Sequence, residues 1–254
     1  MRRLDGKVIL VAGAGGIGGG LARRFAAEGA RVVLGDIDPT IAEEAVSDIA
    51  KSGGEARAIT LDGADEASVA AAVATCREAY GGLDGLHANF ATLADEPGDR
   101  GILELPLEVF DFTQRVNMRG YYLCTRAALP ALLERGGGAI VYTSSIAAYT
   151  GPPSQVAYAM AKAAGHALMR HVASRYGAAG IRANIIAPGM TLHERVEAGL
   201  TPEFLEVMKS AALIKSRFGR PEDIAAMSAL LMSDEGSYIT GQAICIDGGM
   251  TMRA

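Results

Sequence analysis

Cysteine is scarce in this chain, and the three that occur, Cys76, Cys124 and Cys245, are far apart. They form no Cys-x-x-Cys pair and show no metal-ligand spacing, so the sequence predicts reduced cysteines and no metal site. Apolar runs are short, and none reaches the roughly 20 residues that span a bilayer. Met1-Arg2-Arg3 leads into a strand-like run without a signal-peptide core. We therefore expect a cytoplasmic protein.

Clusters of basic residues are missing as well. The chain has 24 Lys and Arg against 29 Asp and Glu, a net charge of −5. Nucleic acids and anionic membrane surfaces attract concentrated positive charge, so this composition predicts no nucleic acid and no membrane as a partner. No linker, low-complexity tract or short-period repeat divides the 254 residues. An α/β chain of this length is often one domain, and we expect a single domain over residues 1–254.

The chain does contain a regular alternation of strand-length apolar runs and helix-length amphipathic segments. Predicted strands are Lys7–Ala12, Arg31–Leu34, Ala56–Leu61, Leu83–Ala88, Ala139–Thr143, Ile181–Ala187 and Ala243–Ile246. Predicted helices are Ile17–Glu28, Thr40–Lys51, Glu66–Tyr80, Leu107–Glu134, Gln155–Tyr176 and Pro221–Met232. Strands separated by helices pair in parallel through right-handed crossovers. The pattern predicts an α/β fold, a doubly wound parallel sheet of about seven strands with helices on both faces.

Two segments interrupt this alternation, a polar stretch at Ala91–Pro106 and a helical insertion at Met190–Arg217. Both follow strands at the edge where ligands bind in this architecture. We expect a cofactor-binding half at about 1–150, a catalytic and substrate half at about 138–254, and a lid at about 190–217. The predicted lid contains a stripe of apolar residues, which suits either a substrate pocket or ordinary core packing. These residues are Leu192, Val196, Leu200, Phe204, Leu205, Met208 and Leu213.

The most informative motif is Tyr158-Ala159-Met160-Ala161-Lys162, with Ser145 upstream. Positions i and i+4 of a helix share a face, so the phenol of Tyr158 and the ammonium of Lys162 are expected side by side. A neighbouring cation stabilises phenolate and lowers the pKa of a phenol from its usual value of about 10. A tyrosine adjusted in this way can exchange a proton with an alcohol or a ketone.

A glycine-rich turn supplies the second motif. Gly13-Ala14-Gly15-Gly16-Ile17-Gly18 follows the first predicted strand and opens the first helix. Glycine permits a tight turn and a close approach of the backbone, and a helix N-terminus attracts the charge of a pyrophosphate. The placement therefore indicates dinucleotide binding through Gly13, Gly15, Gly16, Ile17 and Gly18.

Two acidic residues follow later strands. Asp36 lies about 20 residues past the glycines, where a carboxylate accepts hydrogen bonds from the adenosine ribose and repels a 2′-phosphate. Because the turn offers no Lys or Arg, the sequence favours NAD over NADP, although a nearby arginine could reverse this and Asp36 could simply form a turn. Asp62 is expected either to bind the adenine or to cap the helix ahead of Ala64–Val69.

Further motifs occur in a fixed order along the chain: Val116-Asn117-Met118-Arg119-Gly120, Ser144-Ser145, Ala187-Pro188-Gly189, Gly219-Arg220-Pro221-Glu222-Asp223-Ile224 and Asp247-Gly248-Gly249. Together with the glycine turn and Tyr-x-x-x-Lys, they make the chain resemble the short-chain dehydrogenase/reductase family over nearly its whole length. The resemblance implies a Rossmann fold and hydride transfer between a nicotinamide cofactor and an alcohol or ketone. It also implies a homotetramer with subunit contacts through the helices of Asn117 and Tyr158.

The resemblance also implies roles for individual residues. Tyr158 would be the general acid/base, and Lys162 would bind the nicotinamide ribose and lower the pKa of Tyr158. Ser145 would hydrogen-bond the substrate oxygen, and Asn117 would hold a water that links Lys162 to solvent. Further cofactor contacts would come from loops that follow the strands: Asn89, Pro188, Gly189 and Thr191.

Three positions depart from the family pattern. The interval between Gly13 and Gly16 is one residue shorter than usual, so this loop is expected to meet the pyrophosphate differently. Phe90–Ala91 stands in place of smaller residues and is expected to add bulk beside the nicotinamide path. His193 occupies the place of a threonine that binds the carboxamide, and Thr191 is expected to substitute for it.

Alternatives remain open at this point. Related chemistry, as in an enoyl reductase, epimerase or dehydratase, is one, although enoyl reductases of related fold generally separate Tyr and Lys more widely. A dinucleotide-binding regulator without turnover is another, and the retained Tyr158, Lys162, Ser145 and Asn117 count against it. His87 is expected to be a satisfied core residue, and His166 an interhelix or subunit contact.

Overall fold

A parallel sheet forms the centre of the fold. The computed structural model describes residues 2–93, 101–193 and 200–252. The strands are β1 (Val8–Ala12), β2 (Arg31–Asp36), β3 (Glu55–Thr60), β4 (Gly85–Ala88), β5 (Gly138–Thr143), β6 (Ile181–Pro188) and β7 (Ala243–Ile246). Their order in the seven-stranded sheet is β3-β2-β1-β4-β5-β6-β7. The predicted α/β doubly wound sheet is confirmed, and its order reverses between β1 and β4, where a ligand crevice opens in such sheets.

Helices connect the strands and cover the sheet. They are α1 (Ile17–Ala27), α2 (Pro39–Lys51), α3 (Glu66–Tyr80), α4 (Leu107–Thr113), α5 (Gly120–Glu134), α6 (Ala147–Thr150), α7 (Val156–Tyr176), α8 (Pro202–Ala211) and α9 (Pro221–Met232). A π-helical segment, Gln114–Arg119, joins α4 to α5. The predicted helix Leu107–Glu134 is therefore continuous, and it runs through Pro130 to its end.

Side chains of β1 alternate between two hydrophobic layers, and every residue of the strand is buried. Leu10 faces the layer built from α3, α5 and α7, which includes Val69 and Leu132. Ile9 faces the layer built from α1, α2 and α9, which includes Phe25. Burial of a large aliphatic side chain contributes about 1.5–3 kcal/mol. This double coverage explains why the strand is continuously apolar, as expected for a parallel sheet.

Side-chain caps begin two helices in the N-terminal half of the chain. Asp38 begins α2 by accepting a hydrogen bond from the Thr40 N–H at 3.0 Å. Asp65 begins α3 and accepts from the Ser68 N–H at 2.7 Å. The helix cap that the sequence offered as one role for Asp62 is thus supplied by Asp65, because Asp65 directly precedes the first helical residue.

The predicted lid contains α8, which has no buried residue. Phe204 is 43% exposed and Leu213 is 64% exposed. Phe204 and Leu213 therefore do not pack in the core, whereas the other described members of the stripe are half-buried and Val196 lies outside the described residues. None of the helices in the described part of the chain has the length and apolarity needed to cross a membrane.

Candidate active site

The carboxyl edge of the sheet brings the predicted site residues together. β1 leads into the glycine turn, β5 leads to Ser145, and β6 ends at Pro188. Two backbone hydrogen bonds tie the Ser145 loop to β6: the Ser144 N–H donates to the Ile186 carbonyl at 2.7 Å, and the Ile146 N–H donates to the Pro188 carbonyl at 3.1 Å. Ser145 is therefore held on a braced loop between two parallel strands.

Helix α7 presents Tyr158 to this loop. The helix begins at Val156, one residue later than predicted, after Gln155 adopts a left-handed backbone conformation with φ 64°. Tyr158 consequently lies in the first turn of α7, where its phenol hydrogen-bonds Ser145. Lys162 follows one turn later, with its Nζ 5.5 Å from the centroid of the Tyr158 ring. The structure thus brings Ser145, Tyr158 and Lys162 together.

The Lys162 ammonium is oriented by groups that the sequence did not suggest. Its side chain is buried, and Nζ donates to the Thr143 carbonyl at 2.7 Å and to the Tyr121 hydroxyl at 2.5 Å. The Tyr121 hydroxyl in turn donates to the same Thr143 carbonyl at 2.5 Å. The Lys162 Nζ, the Tyr121 hydroxyl and the Thr143 carbonyl therefore form a closed triangle of hydrogen bonds.

Burial is the largest influence on the pKa values of Lys162 and Tyr158. It lowers the pKa of Lys162 to about 7. It also raises the pKa of Tyr158 above its ordinary value, and the hydrogen bond to Ser145 opposes this only in part. The net direction for the pKa of Tyr158 is upward because loss of solvation destabilises the phenolate more than the Ser145 hydrogen bond stabilises it. The effect of the Lys162 ammonium on the Tyr158 pKa stays a prediction.

Asn117 lies within the π-helical segment and is completely buried. Its side chain exchanges two hydrogen bonds with the backbone of Thr92, accepting from the N–H and donating to the carbonyl, each at 2.8 Å. π-helical turns frequently mark functional sites, since they displace the regular backbone bonding of a helix. Next to it, Gln114 Nε2 donates to the Ala157 carbonyl at 2.8 Å and links this segment to the start of α7.

The glycine turn closes tightly at the start of α1. Gly13 has φ 100° and Gly16 has φ 53°, values that favour glycine. A Cβ on Gly18 would overlap the Gly13 carbonyl, and a Cβ on Gly16 would overlap the imidazole of His193. The turn therefore admits no side chain at these two positions next to the N-terminus of α1, which begins at Ile17.

Asp36 reaches back from the end of β2 to this turn. Its Oδ2 accepts from the Ala14 N–H at 2.7 Å and from the Gly15 N–H at 3.1 Å. Oδ1 accepts from the Asp38 N–H at 3.1 Å, so the turn-forming role also occurs. A carboxylate has about four acceptor positions, and these three bonds leave about one of them for a ribose hydroxyl.

A buried chain of polar side chains connects the strands behind the site. Asn89 Nδ2 donates to the Gly13 carbonyl at 3.0 Å, and its Oδ1 accepts from the Thr143 hydroxyl at 2.9 Å. That hydroxyl also contacts His87 Nε2 at 2.8 Å, and His87 Nδ1 contacts the Ser228 hydroxyl at 2.8 Å. Burial lowers the pKa of His87 to about 3. His87 is therefore the satisfied core residue that the sequence predicted.

The remaining predicted cofactor residues lie on loops after β3 and β6. Asp62 Oδ1 accepts from the Ala64 N–H at 2.8 Å, a local turn contact. A Cβ on Gly189 would lie 2.8 Å from Asp247, so only glycine allows this approach. The Thr191 hydroxyl is within 3.3 Å of the Gly189 carbonyl, and Thr191 forms an isolated bridge with Gly219.

His166 makes its contacts inside the chain. Its Nε2 lies 2.9 Å from the Ser144 hydroxyl, and its Nδ1 lies 3.0 Å from the Tyr149 hydroxyl. Tyr149 belongs to α6, so the predicted interhelix contact is confirmed. It braces the loop that carries Ser145.

Comparisons with known proteins agree with this geometry. A family profile described as enoyl-(acyl carrier protein) reductase matches residues 11–251. A probable short-chain type dehydrogenase/reductase of Bradyrhizobium diazoefficiens is 45% identical, with 98% of this chain and 89% of the relative covered. The chain belongs to the short-chain dehydrogenase/reductase family. It is therefore an oxidoreductase of that family, and its Rossmann fold is that of the family's dehydrogenases.

Two further relatives have named substrates. The 2,5-dichloro-2,5-cyclohexadiene-1,4-diol dehydrogenase of Sphingobium indicum is 36% identical, with 98% of each chain covered. A solved structure of a 7α-hydroxysteroid dehydrogenase, complexed with NADH and 7-oxo glycochenodeoxycholic acid, superimposes with a TM-score of 0.91 at 32% identity. It covers 97% of this chain and 95% of the solved chain.

Within this short-chain dehydrogenase/reductase, the residues at the crevice fit a nicotinamide dinucleotide. A Cβ on Gly16 or on Gly18 would overlap the His193 imidazole or the Gly13 carbonyl, so only glycine allows this tight turn. This shape, at a helix N-terminus, suits an anionic pyrophosphate. The Asp36 carboxylate beside it suits a ribose diol.

Phe90 is half-buried and follows β4 next to the glycine turn. Its ring packs against the core layer of α3, α5 and α7, with its centroid 5.5 Å from that of Tyr121 in an edge-to-face arrangement. A Cβ on Gly63 or on Gly120 would lie 2.6 Å from this ring. Two glycines therefore open a slot for the Phe90 ring in the core. The expectation that Phe90 adds bulk beside the nicotinamide path stays a prediction.

This slot predicts that substitutions at Gly63 and Phe90 are strongly coupled in their effects on stability. Gly63→Ala is expected to destabilise the protein by about 1–3 kcal/mol, because the new methyl overlaps the Phe90 ring. In a Phe90→Ala background the same change should cost little, since the overlap is gone. Urea unfolding of the two single variants and the double variant measures the coupling.

Gly177→Ala is the matched control, because a Cβ there meets nothing within 4 Å. Equal destabilisation by Gly63→Ala in both backgrounds would mean that Phe90 does not fill this slot.

Tyr121 is the residue of this site that sequence reasoning missed. It follows Asn117 by four residues, so helical spacing places both on one face of the long helix. That spacing is the sequence signal from which Tyr121 could have been identified as a site residue. The contact with Lys162 depends on how α5 and α7 approach one another, which no local pattern encodes.

Proposed function

We propose that this protein is an NAD-dependent dehydrogenase that interconverts a secondary alcohol and a ketone, with Tyr158 as the general acid/base. The observation that carries the proposal is the meeting of Tyr158, Ser145 and Lys162 at the carboxyl edge of the sheet. The glycine turn and Asp36, on the same edge, support a dinucleotide beside them.

The proposed reaction divides the chemistry between cofactor and protein. The nicotinamide supplies hydride transfer when bound. Tyr158 takes the hydroxyl proton during oxidation and returns it during reduction, which its hydrogen-bonded position beside Ser145 supports. Ser145 hydrogen-bonds the substrate oxygen and stabilises the charge that develops there. Lys162 holds the nicotinamide ribose, and Asn117 holds a water that passes protons between Lys162 and solvent.

Cofactor binding is assigned to the residues that surround the crevice: Gly13, Gly15, Gly16, Ile17, Gly18, Asp36, Asp62, Asn89, Tyr158, Lys162, Pro188, Gly189 and Thr191. The Gly15 N–H is bonded to Asp36, so its proposed role is to shape the turn. A 2′-phosphate would place additional negative charge near the Asp36 carboxylate, and this repulsion supports NAD over NADP.

A panel assay tests the proposed function. Purified protein with NAD and a range of secondary alcohols should accumulate NADH, and NADP should be much less effective. The panel should include alcohols on rings, since two relatives are named for a cyclohexadiene diol and a hydroxysteroid. Turnover only of enoyl thioesters, supplied together with NADH as the hydride donor, would identify the enoyl reductase alternative, and binding of NADH without turnover would identify a regulator.

Thr191 is proposed to bind the carboxamide, because its hydroxyl lies beside the Gly189 backbone at the end of β6. Thr191→Val keeps the shape and removes the hydroxyl, so the Kd for NADH should rise about tenfold, as expected for one lost hydrogen bond. Fluorescence titration measures it, and Thr75→Val on α3, where the hydroxyl bonds the Ala71 carbonyl, serves as the control. Unchanged affinity in Thr191→Val would assign the contact to backbone groups.

A homotetramer in the cytoplasm remains part of the proposal. Exposed apolar side chains on the long helix and α7, including Phe112, Tyr122 and Met160, support subunit contacts through these helices. The exposed apolar face of α8 supports a role in covering an apolar substrate.

A further inference from the structure

A second phenol contacts the motif lysine. The Tyr121 hydroxyl lies 2.5 Å from Lys162 Nζ, and the centroid of its ring lies 4.8 Å from the same atom. The phenol of Tyr158, one turn before Lys162 on α7, is directed to Ser145 instead. In this structure the lysine therefore has a direct phenol partner on α5.

We propose that Tyr121 is a positioning residue for Lys162: its hydroxyl holds the ammonium against the Thr143 carbonyl and favours the charged form of the lysine. The kinetic consequence rests on the function proposed above. The contact itself can be tested without turnover.

The direction of the hydrogen bonds supports this role. The Tyr121 O–H donates to the Thr143 carbonyl, so its lone pairs are available to accept from Lys162. Acceptance of a hydrogen bond from the charged form stabilises that form. The arrangement thus offsets part of the cost of burying an ammonium.

Packing holds the Tyr121 hydroxyl in place. Tyr121 is almost fully buried, with its ring centroid 5.5 Å from that of Phe90 and 5.6 Å from that of Tyr142. Rings held between two aromatic neighbours lose little further freedom when they form a hydrogen bond. The phenol is consequently a rigid acceptor for the flexible lysine stem.

Several titratable groups surround the lysine, and they come from four elements. Tyr121 lies on α5, Tyr142 on β5, Tyr158 on α7 and His87 on β4. Burial raises the pKa of each of the three phenols, and it lowers that of His87 to about 3. His166, one turn further along α7, bonds Ser144. Between pH values of about 5 and 9, a lysine titrating near 7 is therefore distinguishable from these tyrosines and His87.

Carbon-13 labelling of the lysine Cε atoms gives a direct measurement in the ligand-free protein. Lys162→Met identifies the Lys162 signal among the lysines of the chain: Lys7, Lys51, Lys162, Lys209 and Lys215. In wild type this signal should titrate near pH 7. In Tyr121→Phe its midpoint should fall by about one pH unit, as expected for the loss of one charge-assisted hydrogen bond.

Tyr142→Phe is the matched control. It removes the hydroxyl of the neighbouring buried tyrosine, which bonds Thr125 at 2.8 Å. Both variants should lose similar stability, but only Tyr121→Phe should shift the Lys162 midpoint. If Tyr121→Phe does not fold, Tyr121→Met removes the same hydroxyl and repeats the test.

The kinetic arm follows the pH dependence of alcohol oxidation. With Lys162 less charged, Tyr158 ionises less readily, so the rising limb of kcat should move to higher pH in Tyr121→Phe while KM changes little. An unchanged Lys162 midpoint in Tyr121→Phe, or an equal shift in Tyr142→Phe, would overturn the proposal. Absence of turnover in wild type would overturn the proposed function, while the titration would still decide the role of Tyr121.

Discussion

Tyr158→Phe is expected to reduce kcat/KM for alcohol oxidation by about 10²–10⁴-fold, the usual contribution of a general acid/base. The substitution keeps the ring on the first turn of α7 and removes the group that accepts the alcohol proton. Ser145 loses its phenol partner, but its loop remains tied to β6 through the backbone bonds of Ser144 and Ile146. Initial rates of NADH formation measure the effect, and NADH binding should change little.

Tyr176→Phe provides the control, since Tyr176 lies at the other end of the same helix. It should retain wild-type turnover and similar stability. Turnover within a factor of a few of wild type in Tyr158→Phe would refute the assignment of Tyr158. Burial raises the pKa of Tyr158, so oxidation by wild type should become faster as the pH rises, because the phenol must lose its proton before it can accept one.

Lys162→Met is expected to have opposite effects on function and stability. Turnover should fall by orders of magnitude, because the ammonium that holds the nicotinamide ribose and takes part in the proton relay is removed. The fold should become more stable near and below neutral pH, because the buried ammonium is replaced by an apolar side chain of similar length. The Thr143 carbonyl keeps the Tyr121 hydroxyl as its donor, so the substitution does not leave it unsatisfied.

The sign of this stability effect follows from linkage. Lys162 has a pKa of about 7 in the folded chain, and an unfolded lysine titrates near 10.4. The folded state therefore carries the full cost of the buried charge below pH of about 7, and the cost disappears as the pH rises toward the unfolded pKa. Each unit of difference corresponds to about 1.4 kcal/mol, and after the lost hydrogen bonds we expect a net gain of about 2 kcal/mol in Lys162→Met at pH 6.

Urea unfolding at several pH values measures this gain. The wild-type free energy of unfolding should rise relative to that of Lys162→Met between pH 7 and 10, and the difference between the two proteins should shrink. Lys51→Met is the control, because Lys51 is exposed beside Asp48 and should not change the pH dependence. A Lys162→Met protein less stable than wild type at pH 6 would show that the Tyr121 and Thr143 contacts outweigh the cost of burial.

Local sequence signals predicted the elements of the fold closely. Glu66–Tyr80 and Pro221–Met232 were predicted to the residue, since each begins with a strong start signal, Asp65 before α3 and Pro221 in α9. The π-helical segment at Gln114–Arg119 was missed, because its residues have ordinary helical spacing and the irregularity arises where Asn117 bonds the Thr92 backbone.

The candidate site was predictable where a motif is local. Tyr158 and Lys162 lie on one helix, and Gly13 to Gly18 form one turn, so spacing alone placed each set. The contacts of Phe90 were not predictable, because its slot is made by Gly63 and Gly120 from distant parts of the chain. The same holds for His193, whose ring lies over Gly16.

By itself the sequence determined the parallel sheet, the position of the glycine turn and the pairing of phenol and ammonium along α7, because each follows from periodicity within a short segment. Only the tertiary structure decided the direction of the Lys162 ammonium and the ionisation of Tyr158. Both depend on how deeply the packing of α5, α7 and β5 removes these groups from water, and that burial makes the Tyr158 phenol harder to ionise and brings Lys162 to Tyr121.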